Sequence, residues 1–458
     1  MCQTLCYIPE TCYDMPVFGW GWGLGVLLAI IILTHIYQYI KYRKINDIGG
    51  SLALLVIGGA LFVFVIPNLA EPGFGIPIRG YGTCLLVAIL AAVTLVVRLA
   101  KQRGIDTEQV YSLCFWAVVS GIIGARLFYI TEYWRDTFLD SSGNLLPLQT
   151  SLFQVFNFAQ GGLTVFGSVL GGILGASIFM HRNKMPVLRT FDILAAALPL
   201  GMAIGRIGCL LNGCCFGGVT DVSWGIVFPV YSHAHVHQVA HGDVFFYGLK
   251  FKEIEVPKSL TGVVPHHWQT MLAVAEVQPN SDAESLGVKP GMLLRYLSYK
   301  QEGKPEVWEP NTSRAAAVLL TDSDLRRTMP GAEVQFDFLP DADNTTIKAY
   351  RLTPSHSEVL PVHPTQIYSS CLALLLCGTL LLLGRLHFYQ QRSGLVLASF
   401  MILYSVGRFM IEIVRTDEDS FFGTGLTVSQ NVSIVFGLAG IALFVYVGLV
   451  RKKKDTKF

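Results

Sequence analysis

The strongest constraint on this chain is a series of apolar runs, each long enough to cross a bilayer. A transmembrane helix needs about 20 apolar residues to span a hydrocarbon core about 30 Å thick. Nine segments meet that length: 18–40, 51–69, 77–97, 108–130, 161–180, 191–215, 364–384, 393–414 and 428–450. Composition agrees. Hydrophobic residues make up 52% of the 458 and charged residues only 14%, against about 25% charged in soluble domains. A net charge of +2 gives no polyelectrolyte character, so nucleic acid is excluded as a partner. The expected fold class is an all-α polytopic membrane protein with about nine transmembrane helices.

Basic residues choose the sides of the membrane. Lys41, Arg43 and Lys44 follow the first run. Arg98, Lys101 and Arg103 follow the third, and Arg182, Lys184 and Arg189 the fifth. Arg385 and Arg392 flank a later turn, and Arg451, Lys452, Lys453 and Lys454 close the chain. These clusters fall on every second connection, so they share one face, expected to be cytoplasmic. The N-terminus is then outside and the C-terminus inside. The stretch before Phe18 lacks Lys and Arg and carries Glu10 and Asp14, unlike a cleavable signal peptide. Cys2, Cys6 and Cys12 lie there, either as a disulfide or in an untethered tail.

Residues 216–362 form the one long connection, and its composition turns soluble. Short alternating segments around 274–304 and 330–354, with a Gly-Val-Lys-Pro-Gly turn at 287–291, predict a small β-rich domain. The order of strand, helix after Pro279, turn, strand, helix near 312–327 and closing hairpin resembles a bacterial PDZ domain over 268–355. Met292 stands where that family often has Asp. The resemblance implies a peptide ligand bound by strand addition. A structural insertion without a ligand is the alternative.

Ionisable residues inside spans are costly and usually functional. Arg206 and Arg408 are each 15 residues into spans that run outward, about 22 Å along the axis at 1.5 Å per residue. Glu412 and Arg415 share the Arg408 helix face at i+4 and i+7. Arg126, Tyr81, Asn212 and His363 fall toward the same outer side. Arginines there call for anions, and a lipid phosphate matches the guanidinium fork. Arg126 and Arg415 can also reach the interface by snorkelling.

Five segments then read together: GYG at 80–82, QGGLTVFGSVLGG at 160–172, GRIGCLLNGCCFGG at 205–218, HPTQIYSS at 363–370 and YSVGRFMIEIVRTDED at 404–419. WGIVFP at 224–229 and SQN at 429–431 accompany them. In this order they resemble the prolipoprotein diacylglyceryl transferase family over residues 75–262 and 356–450. The resemblance implies four parts: an N-terminal extension with two extra spans (1–70), a membrane core (71–262), a PDZ-like insertion (263–355) and the rest of the core (356–458).

It also implies a multi-pass protein of the bacterial cytoplasmic membrane. Its partners would be phosphatidylglycerol, the prolipoprotein lipobox cysteine and membrane lipids. The diacylglyceryl group would pass to the cysteine thiol, with glycerol phosphate leaving. The matching catalytic residues are His363, Arg206, Arg408 and Tyr81. Phosphatidylglycerol would be held by Arg206, Asn212, Arg408, Glu412, Arg415, Gln366, Arg126, Gly161 and Gly162. His363 suits the base that takes the thiol proton. Glu412 is spaced to orient Arg408 or Arg415.

The sequence departs from that pattern in three places. Phe166 stands where the family often has His or Tyr, so either His363 or Tyr81 takes that role, or the chain is a degenerate member that only binds lipoproteins or lipid. Cys209 and Cys214 replace a frequent Asn and Glu. Cys209, Cys214 and Cys215 lack a C-x-x-C pair and read as structural cysteines. A histidine run, His233, His235, His237 and His241, can hold zinc or copper or lie as a polar loop beside lipid headgroups. Gly167, Gly171 and Gly175 recur every fourth residue, as in close helix packing. No H-E-x-x-H motif marks a metalloprotease, and no repeat marks a transporter. No cofactor or metal is expected.

Overall fold

The computed structural model describes residues 4–12, 15–18, 21–42, 74–134, 164–230, 232–256, 270–301, 304–308, 334–339, 348–352, 358–415 and 425–450, and single positions between them. The N-terminal part holds strands β1 (Thr4–Ile8), β2 (Thr11–Cys12) and β3 (Met15–Pro16), helix α1 (Trp22–Tyr42) and strand β4 (Ile76–Arg79). β1 pairs antiparallel with β4, and β2 with β3. Cys6 and Cys12 are free and exposed.

A chain inside hydrocarbon must satisfy its backbone locally, which favours helices. The first membrane core block supplies α2 (Gly80–Gln102), α3 (Thr107–Glu132), α4 (Val165–Arg182) and α5 (Val187–Asn212). After the soluble segment come α8 (Thr365–Leu383), the short α9 (His387–Gln390), α10 (Leu395–Val414) and α11 (Val428–Val445), which runs on into a π turn at Tyr446–Val450. Seven of these helices are long and apolar enough to cross a membrane, and they coincide with the last seven predicted runs. The first predicted run is α1, and nearly all of 51–69 falls outside the described residues.

α2 and α8 run antiparallel to α5, and α4 to α3, whereas α10 runs parallel to α5. α2 lies on α5, where a Cβ at Gly208 would meet Tyr81 Cδ2 at 3.3 Å. α8 lies on α5 through Ser370 Oγ, which donates to the Ala203 carbonyl at 2.9 Å. The α3–α4 seam is closest of all. A Cβ added at Gly124 would fall 2.5 Å from the Gly167 carbonyl oxygen and 2.8 Å from Gly171 Cα. Small residues let the two backbones touch, which is how helices gain packing energy in lipid.

At the opposite end of the bundle from Tyr81, the fully buried Asp192 of α5 accepts hydrogen bonds from Gly394 N at 2.7 Å and Leu397 N at 2.8 Å. It thereby satisfies the orphan N–H groups at the start of α10. Arg103 lies 4.0 Å away.

The soluble segment contains α6 (His233–His241), β5 (Leu249–Glu255), β6 (Thr270–Val277), α7 (Asp282–Ser285), β7 (Leu293–Gln301), β8 (Lys304–Trp308), β9 (Val334–Leu339) and β10 (Lys348–Leu352). One sheet runs β10-β9-β7-β6-β5, with β8 also on β7. All its pairings are antiparallel. The sheet starts at Leu249, ahead of residue 263, because β5 pairs along the whole of β6. Phe246, Tyr247, Phe251, Phe336 and Phe338 fill its core together with Val236 and Val239 of α6. Met292 is buried in that core. The helix expected near 312–327 lies outside the described residues.

The histidine run is a helix and not a loop. The Ser232 side chain caps its start, and Gly242, at φ +76°, ends it. His235 is fully buried, and burial pushes its imidazole down to about 4. His237 and His241 stack at 4.0 Å. Among the described residues the four are not brought together as a group of three or more metal ligands.

Candidate active site

The helix ends place the charges. Arg126, Arg206 and Arg408 each lie six residues before the last residue of α3, α5 and α10. That is about 9 Å from the helix end. Tyr81, Gln366 and Ser429 are the second residues of α2, α8 and α11. Antiparallel packing gathers all six at one end of the bundle.

Glu412 is the centre of this end. It is 2% exposed, and a carboxylate so buried is tolerable only when paired. Arg408 Nη1 lies 2.8 Å from its Oε2, and Arg415 Nη1 4.0 Å from the same atom. Thr427 Oγ1 donates to its Oε1 at 3.3 Å. Arg408 Nη2 donates to Ser429 Oγ at 2.8 Å. Thr427 also closes a capping box with Gln430, which fixes the start of α11. The Arg408 fork is therefore held from its own helix and from the next. Arg206 and Arg415 both lie within electrostatic reach of Arg408. Among the described residues no carboxylate pairs with Arg206.

The loop after α5 closes one side. Gly213 ends the helix at φ +75°, and Cys215 holds φ +58°. Gln366 Nε2 donates to the Cys214 carbonyl at 2.7 Å and Thr365 Oγ1 to the Cys215 carbonyl at 2.6 Å. His363 N donates to the Gly218 carbonyl at 3.0 Å, Gly217 N to the His363 carbonyl at 2.9 Å, and Gly218 N to the Val414 carbonyl at 3.0 Å. A Cβ at Gly217 would meet His363 Cβ at 2.7 Å, so only glycine fits this close approach. His363 Nδ1 is 3.4 Å from the Tyr368 hydroxyl, which accepts a hydrogen bond from Trp224 Nε1 at 2.7 Å. Gln238 of α6 brackets Leu360, donating to its carbonyl at 2.9 Å and accepting from its N–H at 3.0 Å. The soluble segment thus grips the stretch of chain that delivers His363.

Tyr81 lies within electrostatic reach of Arg206 and of all three cysteines. The sulfurs of Cys209, Cys214 and Cys215 lie within 4.8 Å of one another, although their spacing gives no ligand pattern. Cys214 Sγ donates to the Cys209 carbonyl at 3.7 Å.

The structure thus brings together Tyr81, Arg206, Gln366, Arg408, Glu412 and Arg415, with His363 tied to the same loop. Asn212 ends α5 beside that loop. Arg126 is engaged on α3: its Nε donates to the Val155 carbonyl at 3.0 Å, and its guanidinium lies 5.2 Å from the Tyr129 ring. Gly161 and Gly162 lie outside the described residues. Phe166, second in α4, is 48% exposed.

Sequence reasoning assigned no role to Ser429, Thr427, Tyr368 or Trp224. Three of them lie inside quoted motifs, but hydroxyls and an indole carry no burial cost large enough to mark them. Chemically, this end offers several guanidinium groups beside the Glu412 carboxylate, an arrangement suited to a phosphate with its planar fork-to-oxygen contacts.

Comparison with known proteins follows the same helices. A model of the prolipoprotein diacylglyceryl transferase family matches residues 67–250 and 311–446, passing over 251–310. A Rhodopirellula baltica protein named phosphatidylglycerol–prolipoprotein diacylglyceryl transferase is 29% identical over 97% of this chain and 89% of its own length. A Thermosynechococcus vestitus protein of the same name is 38% identical over 35% of this chain and 55% of its own. For a Clostridium perfringens protein whose name adds only the number 2, the figures are 34%, 35% and 59%. The family match covers every helix that carries the arginine cluster, and the chain belongs to the prolipoprotein diacylglyceryl transferase family.

Proposed function

We propose that this chain transfers the diacylglyceryl group of phosphatidylglycerol to the lipobox cysteine thiol of prolipoproteins, the first step of bacterial lipoprotein maturation. The names of its relatives support that activity. The observation that carries it here is the Arg408 guanidinium, held between Glu412 and Ser429 with Arg206 and Arg415 in reach.

In this reading Arg206 and Arg408 take the lipid phosphate and stabilise the negative charge that builds on it as it leaves. The thiolate is the nucleophile. Its sulfur attacks the glyceryl carbon bound to the phosphate oxygen. The C–S bond forms, the C–O bond breaks, and glycerol phosphate departs with the electron pair. His363 accepts the thiol proton, positioned through Tyr368 and Trp224. Glu412 keeps Arg408 and Arg415 aimed and takes no proton. Tyr81, Asn212, Gln366 and Arg126, with Gly161 and Gly162, complete the headgroup site.

Membrane placement follows the same logic. Lys101 and Arg103, Lys184 and Arg189, and Arg385 and Arg392 flank the connections at the end remote from the site. That end is proposed as cytoplasmic, with the site in the outer leaflet of the bacterial cytoplasmic membrane and the β-rich unit outside. A peptide ligand of the β-rich unit is a further part of the proposal. The degenerate alternative finds no support, since the arginine cluster is intact and Phe166 faces outward on α4.

The test is to supply the gene to cells depleted of their own transferase. Restored lipoprotein modification is expected. Failure, with the protein present in the membrane, would overturn the activity.

A further inference from the structure

Three thiols meet beside the arginine cluster and have no part in the transfer described above. Cys209 lies in the last turn of α5, and Cys214 and Cys215 follow the left-handed turn at Gly213. All three are free and half-buried. Their sulfurs lie within 4.8 Å of one another. Cys215 holds φ +58°, a conformation that non-glycine residues seldom take. The backbone of the pair is fixed from α8 through the Cys214 and Cys215 carbonyls, which accept from Gln366 and Thr365. Gln366 is 1% exposed, and its Oε1 has no hydrogen-bond partner among the described residues. A buried acceptor left so calls for an explanation, and this one shares an amide with the nitrogen bonded to Cys214.

We propose that Cys209, Cys214 and Cys215 form a three-thiolate site for a thiophilic d10 cation, zinc(II) or copper(I). Soft thiolates select such ions. Zinc–sulfur bonds of about 2.3 Å place tetrahedral sulfurs about 3.8 Å apart, so the thiols need to close by about 1 Å at most. Binding releases the three thiol protons to solvent. Arg206 and Arg415, both within reach of Cys215, balance the negative charge that three thiolates leave on the complex. Three sulfurs leave one tetrahedral position open to a further donor, and Gln366, whose Nε2 is bonded to the Cys214 carbonyl, carries a buried oxygen on the same amide. The cation would pin the end of the helix that carries Arg206 to the loop gripped by Gln366, Thr365 and His363. Its role is positioning.

The test uses the full chain in detergent, reduced and then loaded anaerobically with zinc in one arm and copper(I) in the other. Metal content is measured by mass spectrometry, without any transfer assay, so the result stands apart from the proposed activity. N-ethylmaleimide labelling before and after a chelator is read peptide by peptide. We expect about one equivalent of one ion, shielding of the three cysteines until chelation, and immediate labelling of the exposed Cys12. Cys214→Ser and Cys215→Ser should lose the metal, and Cys12→Ser should keep it. Should the serine variants fail to fold, the shielding pattern of the unaltered chain still decides. Three thiols that label at once without bound metal, or a disulfide among them, would overturn the site.

Discussion

The two ends of the helical bundle bury charge in opposite ways. At one end Asp192 takes two backbone N–H groups of α10 and faces Arg103. Its charge is spent on joining helices. At the other end Arg206, Arg408 and Arg415 gather near the buried carboxylate of Glu412. Among the described residues the arginines there outnumber the carboxylates, inside a membrane, where charge is expensive. A charge satisfied internally reads as architecture. A cluster of guanidinium groups, in which Arg206 pairs with no carboxylate among the described residues, reads as a site for an anion.

The sharpest way to break this comparison is Arg206→Ala. If the arginine cluster serves a leaving phosphate, transfer should fall about 10²–10³-fold, as for loss of one oxyanion donor, while thermal unfolding in detergent stays unchanged. Full activity in vesicles containing phosphatidylglycerol would remove the distinction. Asp192→Ala should do the reverse. Two buried N–H groups lose their acceptor, at about 1–3 kcal/mol each. The unfolding midpoint should drop, with transfer per folded molecule intact. Asp192→Asn keeps one acceptor and should lose less. A loss of transfer at constant folding would put catalysis at the wrong end. The smallest effect is expected from Ser429→Ala, which removes one hydrogen bond from Arg408. Buried membrane hydrogen bonds average about 0.6 kcal/mol, so transfer should slow about threefold. An effect as large as that of Arg206→Ala would show that Ser429 touches substrate and does not merely brace the arginine.

Much of this was legible before any coordinates. Apolar length marks α2 to α5 and α8, α10 and α11, because hydrocarbon thickness sets a minimum that chance runs seldom reach. Arg206, Arg408 and Glu412 stand out because their burial is costly. The same physics hides other features. β5 is a short half-polar strand, and its partner β6 begins 15 residues after it ends, so the sheet opens before the insertion predicted from local pattern. The histidine run read as zinc ligand or loop, although Ser232 and Gly242 are ordinary helix caps. Cys209 meets Cys214 and Cys215 only because Gly213 turns the chain back on itself, and ligand-spacing rules do not register such a turn. Ser429 lies in the capping turn of α11, where a serine is unremarkable until Arg408 is seen beside it.

The α3–α4 seam bears on how loss-of-function data for this protein should be read. A single methyl group at Gly124 or Gly171 would press into the facing backbone at 2.5 Å or less. Such variants will score as inactive beside those of Arg206 and Arg408, though the seam performs no chemistry. A residue map drawn from activity alone would merge a hinge-free contact surface with the reaction centre. Only a parallel count of folded protein in the membrane keeps the two apart.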